Sequence, residues 1–201
     1  MSLFPIFLKL KNKMCLVVGG GRVAERKVKK LLEADAAITV IAPEITEELE
    51  NLAKRTKIVY KNENYKPGNL HVYFLVIAST DSDVINNMIN SEAEENNILV
   101  NSVDDPENCN FIVPSLLERG DLQIAVSSSG KVPYFTKKLR QYLEKMFYQE
   151  MGKDIDKLHV LRKNIIKETK NIKNNKDIKE KKFENILNPK IEKIFEKLGC
   201  L

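Results

Sequence analysis

The chain has no apolar run long enough to cross a bilayer. The longest runs, such as VYFLVIA at residues 72–78, fall far short of the roughly 18 residues a membrane helix needs. The opening MSLFPIFLKL has neither a basic leader nor a small-residue cleavage site. Cysteine is scarce: Cys15, Cys109 and Cys200 are odd in number and scattered, which fits a reducing compartment better than a disulfide framework. The expectation is therefore a cytoplasmic protein. No two cysteines have C-x-x-C spacing, and His71 and His159 share no ligand spacing with Cys109, so no metal site is expected.

A one-signed charge excess is also missing from most of the chain. The formal net charge is +5, but residues 151–201 hold 14 Lys and Arg against 8 Asp and Glu, leaving 19 and 20 for residues 1–150. The lysines of the C-terminal part alternate with acids and with apolar residues at helical spacing (Ile155, Leu158, Leu161, Ile165; Ile186, Ile191, Ile194, Leu198). That pattern reads as a solvated amphipathic face, so neither nucleic acid nor a membrane is expected as a partner.

What the chain does have is enough apolar sequence, 43% of 201 residues, for one ordinary domain and a smaller appendage. MCLVV at 14–18 reads as a buried strand, followed by a helix from about Val23 to Glu33 and a second strand AITVIA at 37–42. A helix over 45–54, strands at 57–60 and 72–79, a helix capped by Thr80 or Asp81, and a strand at 98–103 continue the alternation. This rhythm predicts an α/β protein with a doubly wound parallel sheet of Rossmann type. After Pro106 it gives way to two short strands around Arg119-Gly120-Asp121 and an amphipathic helix begun by Pro133. The expected organisation is a dinucleotide-binding domain over 1–113, a small α+β module over 114–150 and a helical segment over 151–201. The polar stretch KNIKNNKDIKEKK in that segment reads as an exposed connection.

Gly19-Gly20-Gly21-Arg22-Val23-Ala24 matches G-x-G-x-x-A between a strand and a helix. Gly19 permits the tight turn, Gly21 lets backbone approach a pyrophosphate, and Ala24 lets helix and strand pack closely. The amides at the helix start, from Arg22 and Val23 onward, face the phosphates with the positive end of the helix dipole. A ribose contact is expected near the end of the second strand, through the Glu44 carboxylate or the Pro43 and Glu44 backbone. No arginine follows that strand closely, which favours NAD over NADP. Ala78, Ser79 and Thr80, at the end of the fourth strand, face the same crevice.

The segments LFPIFLKLKNKMCLVVGGGRVAERKVKKLLEA, LVIASTDSDVINNMI and VNSVDDPENCNFIVPSLLERGDLQIAVSSSGKVP, with the helix that follows, resemble the precorrin-2 dehydrogenase family, which includes the amino-terminal half of siroheme synthases. The resemblance covers about residues 1–150. It implies a Rossmann domain, a dimerisation module and a helical C-terminal segment in a homodimer. It also implies oxidation of precorrin-2 to sirohydrochlorin with NAD as hydride acceptor and, in some members, insertion of ferrous iron. Asp104, at the mouth of the sheet, matches an aspartate proposed as general base. Ser128, in the Ser127–Gly130 turn, would face the substrate, while Arg119 and Lys131 are candidates to pair with its carboxylates. Asp105 reads as a turn former before Pro106. The competing class is a non-enzymatic NAD-sensing module. It would account for residues 14–103 but not for the strands, serine turn and helix of 111–150.

Overall fold

The computed structural model describes residues 3–103, 105, 108–170 and 175–199. The chain forms two compact units, Met1–Val113 and Pro114–Leu201.

The first unit carries strands β1 (Met14–Val18), β2 (Ala37–Ile41), β3 (Val59–Lys61), β4 (Leu75–Ala78) and β5 (Leu99–Ser102), with helices α1 (Arg22–Glu33), α2 (Glu47–Lys54) and α3 (Asp83–Glu95). The strands are all parallel, in the order β3-β2-β1-β4-β5. This is the doubly wound sheet that the alternation predicts, with its switch point between β1 and β4. Successive side chains of a strand point to opposite faces, and here both faces are covered. Cys15 and Val17 of β1 join a cluster with Ala24, Val28 and Leu31 of α1 and Leu49 of α2. Leu16 and Val18 join the opposite cluster with Ile89 and Ala93 of α3. The i, i+4, i+7 spacing of Ala24, Val28 and Leu31 is what fastens α1 to the sheet. Val18 pairs with both Ile41 and Ala78, so three strand ends finish level.

Two expectations need correction here. The fourth strand begins at Leu75 rather than 72, because Leu70–Val72 forms a 3₁₀ turn with the Tyr73 amide donating to the Leu70 carbonyl at 2.8 Å. His71 lies in that turn. Neither Thr80 nor Asp81 caps α3: the cap is Ser82, whose hydroxyl accepts from the Ile85 amide. Thr80 is diverted, since its hydroxyl donates to Asn86 Oδ1 at 2.8 Å.

Beside the edge strand β5, the Asn110 side chain takes the place of a further strand. It accepts from the Val100 amide at 2.8 Å and donates to the Ile98 carbonyl at 2.7 Å. Cys109, buried, bonds the Ser102 amide at 3.1 Å, and burial raises its thiol pKa. It therefore fastens the turn that returns to β5 as a neutral thiol.

The second unit starts with an antiparallel hairpin of β6 (Ser115–Arg119) and β7 (Leu122–Val126), turned at Gly120 with φ +59°. Helices α4 (Pro133–Met146), α5 (Met151–Thr169) and α6 (Asn175–Lys197) follow. The hairpin tip meets the start of α5 so closely that a Cβ on Gly152 would stand 3.0 Å from the Arg119 carbonyl. Much of the polar stretch expected to be an exposed connection is the first part of α6. Its Lys and Glu residues are good helix formers, and Lys182 pairs with Glu168 of α5 at 2.6 Å. Among the described residues no helix is long and apolar enough to cross a membrane.

Candidate nucleotide-binding site

A cleft of about 750 Å³ opens where β1, β2 and β4 end. Its floor is the turn Gly19–Val23, and its walls come from Pro43–Thr46, Ser79–Ser82, Asn64, Tyr65 and Ile85.

The three glycines of the turn do different work. Gly19 has φ +117°, and a Cβ there would lie 2.3 Å from the Ser79 carbonyl oxygen. Gly20 admits no Cβ either, because the Glu44 carbonyl oxygen would be 1.8 Å away. Around Gly21 there is nothing within 4 Å, so its bare backbone faces the opening. The first intrahelical bond of α1 runs from the Glu25 amide to the Gly21 carbonyl at 3.0 Å, and Gly21 has no side chain to cap the earlier amides. The amides of Arg22, Val23 and Ala24 therefore lie in the uncapped first turn, at the positive end of the helix dipole. The open glycine backbone and uncapped helix start fit a pyrophosphate.

The wall after β2 is stitched to the floor. The Thr46 amide donates to the Gly20 carbonyl at 3.0 Å, and the Thr46 hydroxyl donates to Glu25 Oε2 at 2.9 Å. Lys29 binds the same carboxylate at 2.8 Å, and these two donors, Lys29 first, lower the Glu25 pKa. Pro43 and Glu44 are exposed on this wall, just beyond the end of β2.

The wall after β4 is made mostly of committed polar groups. The Ser79 hydroxyl donates to the Val18 carbonyl at 3.0 Å, and Thr80 is engaged by Asn86, whose Nδ2 donates to the Thr80 carbonyl at 3.0 Å. The Ser79 amide likewise donates to the Val18 carbonyl at 2.8 Å and the Thr80 amide to Asn86 Oδ1 at 3.4 Å, so these residues shape the wall with groups already paired. Ala78 does not reach it: fully buried in the α3-side cluster, it supports the wall from behind, a correction to its expected place in the crevice. Ala24 is equally buried, beneath the floor, as close helix packing requires.

The expected substrate residues lie in the second unit, apart from Asp104, which lies outside the described residues. Arg119 is 7% exposed. Its Nε donates to the Phe147 carbonyl at 2.8 Å, Nη2 to Glu144 O at 3.0 Å and Nη1 to Glu118 O at 2.8 Å. This guanidinium joins the hairpin to the end of α4 and is buried on backbone carbonyls rather than presented to a substrate carboxylate, which corrects the expectation from sequence. Ser128 is half-buried and its hydroxyl accepts from the Val132 amide at 3.0 Å, while Lys131 is exposed and its amide donates to the Ser128 carbonyl at 3.0 Å. Asp105 accepts from Asn108 Nδ2 at 2.7 Å, the arrangement of a turn residue.

Sequence reasoning missed Gly20, Thr46 and Tyr65. Gly20 fills the variable position of the motif, and its need for a bare Cα comes from a loop 24 residues away in sequence. Thr46 carried a visible signal as a helix cap before Glu47, since its hydroxyl accepts from the Leu49 amide. Nothing local marks Tyr65 as a wall of this cleft.

A parallel sheet of this order with a glycine turn at its switch point defines a dinucleotide-binding α/β protein. Residues 6–115 match the model of an NAD(P)-binding family, and the chain belongs to that family. Residues 119–146 match the central region of sirohaem biosynthesis proteins. The chain is 43% identical over 152 residues to siroheme synthase 2 of Yersinia enterocolitica, covering 76% of this chain and 32% of the relative. It is 40% identical over 152 residues to the siroheme synthase of Photorhabdus laumondii, with the same coverage. It spans about a third of the length of the curated relatives it matches. The solved precorrin-2 dehydrogenase SirC is similar over 99% of this chain and 100% of its own, with a TM-score of 0.77 and 25% identity.

Proposed function

We propose that this chain is an NAD-dependent dehydrogenase that oxidises precorrin-2 to sirohydrochlorin in siroheme biosynthesis, working as a cytoplasmic homodimer. The observation that carries the reading is that the similarity to SirC spans both units and not the nucleotide-binding domain alone. A sensing module would need only the first unit.

The reaction removes one hydride and one proton from a reduced tetrapyrrole. Bound NAD supplies the hydride acceptor. The chain's part is to hold and orient. The Gly21 backbone and the first-turn amides of α1 bind the pyrophosphate, Glu44 with the Pro43 backbone binds the adenosine ribose, and the Asp104 carboxylate accepts the proton. Ser128 and Lys131 meet carboxylates of the substrate. The same assay tests whether the product then takes up ferrous iron as a second substrate.

Purified protein is mixed anaerobically with precorrin-2 and NAD, the rise of reduced nicotinamide absorbance is followed, and ferrous iron is then added. Turnover is expected, and its absence with precorrin-2 bound would return the chain to the sensor class. Asp104→Ala should lower the rate by about two to four powers of ten with NAD binding nearly intact. Near wild-type rates in that variant would remove the general-base role, and an equal loss of iron insertion would assign both steps to one carboxylate. Light scattering at micromolar concentration is expected to give a dimer mass.

A further inference from the structure

Between β3 and β4 the chain crosses to the α3 side of the sheet with only one short turn of regular structure, yet it supplies a wall of the cleft. One carboxylate holds it there. Glu92 of α3 accepts from the Gly68 and Leu70 amides on Oε1, each at 2.9 Å, and from the Tyr65 hydroxyl on Oε2 at 2.5 Å. Leu70, 1% exposed, anchors the same segment in the core. Burial by itself would raise the Glu92 pKa, but the Tyr65 hydroxyl and the Leu70 and Gly68 amides outweigh it and hold the carboxyl below its ordinary value. Burial, and then Glu92, push the Tyr65 hydroxyl far up, so it stays a donor at neutral pH. The three bonds to Glu92 therefore persist across the physiological range.

What they hold in place is a flat ring. Tyr65 and Ile85 both pack against the α3-side cluster and both line the cleft. Elsewhere in the lining the glycine turn offers backbone suited to phosphates, the Pro43–Thr46 wall suits a ribose, and the Ser79 and Thr80 hydroxyls are already committed to the Val18 carbonyl and to Asn86 Oδ1. A purine needs an apolar slot beside the ribose site, and an aromatic ring next to a branched aliphatic side chain supplies one. We infer that Tyr65, with Ile85, forms the slot for the adenine ring of the dinucleotide, and that Glu92 is the positioning residue that holds Tyr65 there. This inference rests on the dinucleotide reading of the cleft.

The test is calorimetric titration of the full chain with NAD, with nicotinamide mononucleotide, which lacks the adenine, as competitor. Tyr65→Leu keeps apolar packing but loses the flat ring and hydroxyl. It should weaken NAD about tenfold, the scale of base–aromatic stacking, while the mononucleotide competes as in wild type. Glu92→Gln cannot accept from the Tyr65 hydroxyl and both amides at once. It should weaken NAD by a smaller factor and add nothing in the Tyr65→Leu background, a non-additivity that a merely structural role would not produce. Wild-type NAD affinity in folded Tyr65→Leu, or additive losses in the double variant, would overturn the inference. If Gly21→Asp abolishes NAD binding while Tyr65→Leu leaves it intact, the inference fails alone. If the wild-type chain binds no NAD, the nucleotide reading fails with it.

Discussion

Of the turns that lead from a strand into a helix, those before α1 and α4 are built in opposite ways. Gly19-Gly20-Gly21 before α1 has no side chain to spend, so the helix start remains uncapped and its shape comes from surrounding backbone: Ser79 and Glu44 press on the first two glycines. Ser127-Ser128-Ser129-Gly130 before α4 satisfies itself. The Ser129 amide donates to the Ser127 hydroxyl at 3.1 Å and the Val132 amide to Ser128, with Ser129 and Gly130 at φ +53° and +77°. The first turn keeps its amides for a ligand and depends on distant loops for its form. The second carries its own form and keeps less for a ligand.

Substitutions can break this contrast, and the largest effect is expected at Gly21. Gly21→Asp has space for its side chain, so the fold should stand, but a carboxylate would face the pyrophosphate and cost at least a few kcal/mol of NAD binding, roughly a hundredfold or more. Calorimetry on folded protein checks this, and unchanged affinity would remove the site assignment. Gly20→Ala should act on the fold instead. Its methyl would collide with the Glu44 carbonyl, and a loss of about 3 kcal/mol in urea unfolding is expected, the upper part of the usual overpacking range. Arg119→Ala, away from either turn, should cost about 2 kcal/mol by leaving part-buried carbonyls without their donors, with NAD affinity unaltered. The smallest effect belongs to the serine turn. Ser128→Ala removes one local bond, and about 0.5–1 kcal/mol of stability should go with it. A drop in NAD affinity for Ser128→Ala as large as for Gly21→Asp would erase the distinction between the two turns.

Adenine placement sharpens the same contrast within the first unit. The glycine floor is legible as a motif, because every residue of G-x-G-x-x-A is contiguous and its chemistry depends on neighbours in sequence. The Tyr65 wall is not. Its partner Glu92 is 27 residues away, and the two meet only because the β3–β4 segment crosses to the α3 face. Arg119 was misread for a similar reason. A basic residue at a hairpin tip usually faces solvent, and only the return of α4 brings the Phe147 and Glu144 carbonyls within reach of its guanidinium.

Residues close in sequence determined the elements and the parallel sheet. Apolar runs of five residues bounded by turn residues and rich in β-branched side chains read as buried strands, and helices between them favour parallel crossovers. They also mark the candidate phosphate site, since an uncapped helix start after a glycine turn is a local object. The tertiary structure alone decided which glycine must lack a side chain for packing and which for a ligand, which hydroxyls at the cleft are already spent, and which aromatic ring walls it. Each of those depends on atoms brought within a few ångströms by segments far apart in the chain, and a contact of that kind leaves no periodicity for the sequence to display.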